Sequence, residues 1–337
     1  MKVALVTGSV PPATCGVGDY TIRLAEALRE IQIEYEVVTQ DNWGIKEYFN
    51  LSKEINKSQS DIVHIQYPTV GYRTGMAPHI LAILCRKPVV TTLHEFKHSN
   101  WLRKISCILF SIGSKIIIFT NAEDQQNFKR IFSGAAAKST IIRIGSNIPW
   151  LDKRRNDKNK ICYFGIIRPD KGLEEFIELS RLIHKRKMQY SLDVIGTPAV
   201  SNIRYYNELR EKTACLPIEW SVNFTPEQVA LRLQEAACAY LPFPGGASIR
   251  RGSLMAVMGN GVPVVTTDGP DRPPEMAKAM RFASNPEEAL SVIVSLMNDP
   301  AQAEAIVAEA RKCLLNFAWP KIAEDHKTVY DRVLGLG

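Results

Sequence analysis

The chain has 337 residues, of which 45% are hydrophobic and 23% charged, and a formal net charge of +7 at pH 7. This length and mixture favour two globular domains and exclude a disordered or fibrous chain. No run approaches the roughly 18 apolar residues a membrane span needs, because the stretch from Ile105 to Phe119 is broken by serines and Lys115. Seven cysteines lie scattered without a C-x-x-C pair, which argues against a disulfide scaffold or a zinc site and for a reducing, cytoplasmic setting. The opening MKVALVTGSVPP is too short in its apolar run for a signal peptide and reads as a first strand.

Strand-like runs alternate with amphipathic stretches from the start, the mark of parallel sheets with helices on both faces. Lys2–Thr7 is a strand, Gly8–Asp19 a long Gly/Pro-rich turn, and Tyr20–Ile31 a helix with Ile22, Leu24, Ala25, Leu28 and Ile31 on one side. Glu36–Thr39, Ile62–Gln66, Pro88–Leu93 and Lys115–Thr120 supply further short strands. Trp101, Leu102, Ile105, Ile108 and Leu109 follow Lys97 and are flanked by Arg103, Lys104 and Lys115. They fit either a core helix with solvated lysines or a basic amphipathic face that docks shallowly on an anionic membrane.

Asn147-Ile148-Pro149-Trp150 leads into LDKRRNDKNK, residues 151–160, which is strongly charged and has no periodic apolar face. A fresh strand starts at Ile161, and Ser191–Gly196, Ile218–Phe224, Ala239–Phe243 and Pro263–Thr267 continue the series. Pro286–Asn298 and Ala301–Phe317 read as successive helices. The expected boundary thus divides domain 1–150 from domain 151–318. Residues 1–160 carry 22 Lys/Arg against 14 Asp/Glu, +8, while residues 161–337 carry 20 against 21, −1. The excess points to an anionic partner of the first half.

Three loops carry chemistry. Gly16 and Gly18 in the first turn either shape that turn or let backbone approach a ligand at a helix start; the spacing is neither G-x-G-x-x-G nor a Walker loop. After the strand at 161–164, a loop with Arg168 and Lys171 runs into a helix beyond Gly172. In LPFPGGASIRRGSLMAVMGNGVPVVTT, residues 241–267, a Pro/Gly loop brings Arg250 and Arg251 to a helix opening near Ser253. Either loop alone reads as solvated surface. Two strand–basic loop–helix units in one half suggest one anionic ligand, a phosphate, held from two sides. His94 ends the strand 88–93, either as a structural histidine or at the ligand-binding edge. His94 and His98 are four apart, but H-E-x-x-x-H is not the metalloprotease spacing, and no D-x-D offers carboxylates to a metal–diphosphate complex.

Taken together, the first loop PPATCGVGDY, DIVHIQY at 61–67, TTLHEF, FGIIRPDKG, LDVIG at 192–196, GVPVVTT and the closing FAWPKIAEDHKTVY resemble a retaining GT-B glycosyltransferase of family 4 along the whole chain. The resemblance implies an α/β architecture of two Rossmann-like domains facing each other across a cleft, with residues 319–337 crossing back to the first. It implies that Arg168 and Lys171 bind a donor diphosphate, and that Ser253 and Leu254 offer it backbone N–H groups. Asn223 and Phe224 would line the base pocket, Gly16 and Gly18 would lie against the diphosphate and sugar, and His94 would sit beside the sugar. Two departures stand out. Ile166 occupies the place where the family often has arginine, and Ser248 and Ala256 occupy those of its paired glutamates. A subset with R-R-G-S-L in this loop is similar to this sequence, and there Arg250 and Arg251 take over some contacts.

The expectation is therefore a metal-independent retaining glycosyltransferase without a cofactor, using a UDP-sugar such as UDP-glucose and a glycan or lipid-linked acceptor in polysaccharide biosynthesis. It would be cytoplasmic, peripheral to the inner face of an anionic membrane, with no nucleic-acid partner. The alternative is a non-catalytic nucleotide-sugar or glycan-binding protein of the same fold. A dinucleotide oxidoreductase is disfavoured by the missing G-x-G-x-x-G.

Overall fold

The alternation of apolar runs and amphipathic stretches folds into two six-stranded parallel sheets. The computed structural model describes the chain except Thr14, His98, residues 152–156, Arg250, Gly337 and the side chains of Asp157 and Lys158. The chain divides into two units, Met1–Gly145 with Asn316–Gly337, and Ser146–Leu315.

The first unit runs β1 (Lys2–Val6), α1 (Gly16–Glu30), β2 (Glu34–Val38), α2 (Tyr48–Lys57), β3 (Ile62–Tyr67), α3 (Ala77–Leu84), β4 (Val89–Leu93), α4 (Trp101–Ser106), α5 (Ile108–Gly113), β5 (Ile116–Phe119), α6 (Ala122–Ile131) and β6 (Ser139–Ile141). Its strand order is β2-β1-β3-β4-β5-β6. Successive residues of β1 feed opposite faces. Ala4 and Val6 pack with Leu81, Phe110 and Phe128, whereas Val3 and Leu5 pack with Leu24, Leu28, Ile322 and Tyr330. Both faces are covered, which is why these strands are apolar at nearly every position.

The second unit runs β7 (Asp157–Phe164), α7 (Leu173–Lys185), β8 (Ser191–Gly196), α8 (Ile203–Lys212), β9 (Ile218–Val222), α9 (Pro226–Glu235), β10 (Ala236–Leu241), α10 (Gly252–Gly259), β11 (Val264–Thr266), β12 (Arg281–Phe282), α11 (Pro286–Asn298) and α12 (Pro300–Leu314). Its order is β12-β11-β10-β7-β8-β9. The last helix, α13 (Trp319–Leu334), packs along α1 and gives Ile322, Ala323, Val329 and Tyr330 to the core of the first unit.

Several boundaries differ from the sequence reading for identifiable reasons. Helix α1 starts at Gly16 rather than Tyr20, because Asp19 N–H already donates to Cys15 C=O. Strand β7 starts at Asp157 rather than Ile161, its first residue pairing with Ala236 of β10. The second unit begins at Ser146 because Asn260 clamps the chain just beyond that residue. Asn260 Nδ2 donates to Pro149 C=O at 3.0 Å and its Oδ1 accepts from Leu151 N–H at 3.2 Å. The stretch around Trp101–Leu109 is two short helices meeting at Cys107; Cys107 and Phe110 reach the core, but most of its apolar side chains do not. Trp101, Leu102, Ile105 and Ile108 are all exposed.

Candidate functional site

In an open parallel sheet, ligands bind beyond the carboxyl ends of the strands where the connection reverses direction. In the second sheet that point lies between β7 and β10. The loops leaving these two strands hold most of the expected phosphate-binding residues.

The loop after β7 is anchored by Ile167, which is fully buried and whose N–H donates to Thr197 C=O. This leaves Ile166 and Arg168 pointing outward and exposed. Tyr163 Oη donates to Lys171 C=O at 3.0 Å, fixing the far end of the loop. Gly172 then turns the chain into α7 at φ +80°. A Cβ on Gly172 would stand 1.9 Å from Pro242 C=O, so glycine here lets the two loops meet backbone to backbone.

The loop after β10 bends at Gly245 and Gly246, both at positive φ, and is tied to β11 by Thr267 Oγ1, which donates to Phe243 C=O. Arg251 is held at both ends of its guanidinium surface. Nη2 donates to Pro244 C=O at 2.7 Å, and the group lies 5.0 Å over the Phe243 ring. Arg251 is also the N-cap of α10, whose first intrahelical bond runs from Met255 N–H to Arg251 C=O. The N–H groups of Gly252, Ser253 and Leu254 have no acceptor among the described residues. Leu254 is fully buried, so it offers backbone only.

Burial first, and then the like charges of Arg168 and Arg251, hold the Lys171 ammonium below the usual lysine range. The three cations therefore share one neighbourhood, and none has a carboxylate partner among the described residues. Arg250 lies outside those residues. Asn223 and Phe224 follow β9 on the same carboxyl edge, two strands from β7. Asn223 adopts φ +60° with its N–H on Gly196 C=O, and the Phe224 ring is partly open to solvent. At the glutamate positions, Ser248 is buried in the loop and Ala256 is sealed inside α10.

In the first unit the reversal lies between β1 and β3. The loops after these strands interlock: Gly8 N–H donates to Thr69 Oγ1 and Gly71 N–H to Ser9 Oγ. A Cβ on Gly18 would stand 2.6 Å from Ser9 C=O, so chain packing accounts for that glycine. Gly16 faces open space, with nothing within 4 Å of where its Cβ would be. A cavity of about 500 Å³ beside these loops is lined by Asp41, Trp43, Tyr72 and Arg73 among others.

His94 follows β4 and is almost wholly buried. Its N–H donates to Tyr67 C=O at 2.7 Å, its Nε2 lies 3.0 Å from Gln66 Oε1, and the Tyr20 ring meets it edge-on. Burial, and then the neighbouring His326, push its pKa down to about 3, so the imidazole is neutral at physiological pH. It can neither hold a phosphate by charge nor act as a ready acid. His98 lies outside the described residues, so the considered His94–His98 pair does too. Among the described residues no group of three or more His, Cys, Asp or Glu is placed to hold a metal ion. Within the first unit, the sequence does not single out His64 and Gln66 of DIVHIQY or Tyr330 of the closing segment, yet they join His94 in one hydrogen-bonded chain, while in the second unit Tyr163 supports the Lys171 loop.

The two six-stranded parallel sheets match the GT-B fold of solved structures. Solved structures agree along the whole chain. HepE of Anabaena, in complex with UDP and glucose, superimposes with a TM-score of 0.65 at 15% identity over 98% of this chain and 99% of that one. A glycosyltransferase of Rickettsia africae gives 0.70 at 13% identity over 100% and 99%. The catalytic domain of starch synthase IV from Arabidopsis thaliana, bound to ADP and acarbose, gives 0.62 at 11% identity over 99% of both. No protein-family model and no curated protein matches this sequence.

Proposed function

We propose that this chain is a retaining, metal-independent glycosyltransferase that moves a sugar from a nucleotide-diphosphate donor to a glycan or lipid-linked acceptor. The observation that carries the reading is the cluster of Arg168, Lys171 and Arg251 beside the first N–H groups of α10, which have no acceptor among the described residues. Breaking a sugar–phosphate bond places negative charge on the departing diphosphate, and cations with oriented amides stabilise it where it develops. The Phe224 face and Asn223 suit a base farther along the same edge. UDP is the preferred nucleotide, a choice supported by the UDP held in HepE. In the first unit, neutral His94 and open Gly16 are assigned to the sugar side, and the cavity beside Trp43 and Arg73 to the acceptor. Attack is assigned to the same face of the sugar as departure, without a covalent carboxylate intermediate.

The acceptor reading extends to an anionic membrane surface. Trp101 and Ile112 are 68% and 65% exposed, and Leu102, Ile105 and Ile108 are exposed beside them. Helix α5 packs on α3, whose Ile83 and Leu84 are exposed as well. From Ile62 to Ala122 the sequence holds seven Lys/Arg and a single acidic residue, Glu95. Glu123, just beyond, pairs with Lys97, so the field is predominantly basic, and apolar side chains in such a field suit shallow insertion among anionic headgroups. No described helix is long and apolar enough to cross the bilayer. The seven cysteines are free, which supports a cytoplasmic setting.

One observation favours a second reading, a nucleotide-sugar-binding protein without turnover: Ser248 and Ala256 stand at the glutamate positions. Release of free nucleotide from a panel of nucleotide sugars, with and without acceptors, separates the two. Turnover supports the enzyme, and tight nucleotide binding without any release supports the binding protein.

A further inference from the structure

We propose that Gln66 is a positioning residue: it fixes which ring nitrogen of His94 carries hydrogen, and helix α13 holds Gln66 in place through His64 and Tyr330. The inference concerns the geometry of His94; its consequence for turnover rests on the glycosyltransferase reading above.

Gln66 is fully buried on β3 and lies opposite Thr92 of β4 in the sheet register. Its Oε1 is 3.0 Å from His94 Nε2, and its Nε2 is 3.1 Å from His64 Nε2. His64 Nε2 also lies 2.7 Å from Thr92 Oγ1, and His64 Nδ1 lies 2.7 Å from Tyr330 Oη. The chemistry of the amide sets directions along this chain. Its carbonyl oxygen can only accept, so His94 Nε2 carries the hydrogen and donates. Its NH2 can only donate, so His64 Nε2 carries the lone pair, which the Thr92 hydroxyl shares. His64 Nδ1 then carries hydrogen and donates to Tyr330 Oη.

A second route from the same helix reaches the same ring. His326 Nδ1 lies 2.7 Å from the carbonyl of Ile322, which can only accept, so His326 Nε2 is left to accept from Tyr20 Oη at 3.5 Å. The Tyr20 ring in turn meets His94 edge-on at 5.1 Å. Helix α13 therefore constrains His94 both through hydrogen bonds and through ring packing. With Nε2–H committed to Gln66, the lone pair of His94 sits on Nδ1. That atom has no partner among the described residues, and it suits a hydroxyl donor such as a sugar hydroxyl.

The test is nitrogen-15 NMR of histidine-labelled protein at pH 7, with His94 assigned by difference from His94→Gln. The wild type should show neutral His94 with hydrogen on Nε2. Gln66→Glu keeps an acceptor facing His94 and should keep hydrogen on Nε2, with the ring drawn toward its charged form by the carboxylate, whereas Gln66→Leu should give a mixture of both neutral forms. A wild-type His94 that is charged or carries its hydrogen on Nδ1 overturns the proposal, even if the Gln66→Leu protein does not fold. So does a Gln66→Leu spectrum unchanged from wild type. In turnover, Gln66→Leu should lower kcat about ten- to hundredfold with little change in KM for the nucleotide sugar. The spectra need no turnover. An inactive wild type with the expected spectrum would count against the glycosyltransferase reading and leave the role of Gln66 standing.

Discussion

Gly172 and Pro242 approach so closely that any side chain at 172 would collide with the Pro242 carbonyl, and Gly172 holds φ +80° besides. This contact joins the loop that carries Arg168 and Lys171 to the one that carries Arg251. Gly172→Ala must therefore both strain the backbone and push the loops apart. We expect a loss of stability of about 2 kcal/mol or more, together with weaker binding of nucleoside diphosphate. Urea midpoints and calorimetric titration with UDP check the two effects, and an unaltered midpoint would show that the contact is dispensable.

Arg168→Ala and Lys171→Ala should each weaken UDP binding by about 1.5–3 kcal/mol, the usual worth of a charge-assisted hydrogen bond, and leave uridine binding nearly unchanged. Competition titrations of both ligands provide the comparison. Equal losses for nucleotide and nucleoside would mean that the residues act through the fold and not on phosphate.

Much of the fold is legible in the sequence, and the reasons differ by element. Ser191–Gly196 reads as a strand to the residue because an apolar run ends at a glycine. Helix α11 is equally plain, since Asn285 caps it and Pro286 opens it. β6 and β12 go unread because three- and two-residue edge strands have no period to detect. The start of α1 is misread because Gly16 and Gly18 look like turn formers, whereas Gly18 lies inside the helix and admits the backbone of Ser9. In the candidate site, strand-to-helix loops announce Arg168, Lys171 and Arg251. The supports of His94 lie within the quoted DIVHIQY and FAWPKIAEDHKTVY, but their meeting is not legible, because His64 meets Tyr330 across 266 residues of sequence.

The first unit should lose stability on mild acidification. Burial holds the pKa of His94 near 3 and those of His79 and His326 near 4, and it holds His64 well below the ordinary value. An unfolded histidine takes up its proton near pH 6.5, whereas these take it up only much lower in the folded state. Between about pH 6.5 and 4 the unfolded chain therefore binds more protons, and stability falls as pH falls. Each histidine contributes about 1.4 kcal/mol per pH unit in that window. Melting curves from pH 7.5 to 5 should show a steep decline, and a flat Tm over that range would contradict the buried, neutral assignment.

The exposed face of α4 and α5 predicts salt-sensitive membrane binding. The protein should co-sediment with anionic vesicles at low ionic strength and dissociate as salt shortens the screening length to about 8–10 Å. A Trp101→Ser, Ile105→Ser double variant should lose pelleting while keeping its Tm, because both side chains are exposed. No pelleting of the wild type at low salt would rule out the membrane as a partner.

The proposed transfer assigns His94 to the transferred sugar and not to the nucleotide. The direct measurement is nucleotide release from a panel of UDP-, ADP- and GDP-sugars with candidate glycan and lipid-linked acceptors, for wild type and His94→Ala. Nucleotide affinity should be measured alongside. We expect acceptor-dependent release by the wild type, strongly reduced kcat in the variant and nearly equal nucleotide affinity, since a contact made in the transition state lowers turnover and not ground-state binding. Wild-type turnover preserved in His94→Ala, or no release by the wild type across the panel, would overturn the assignment.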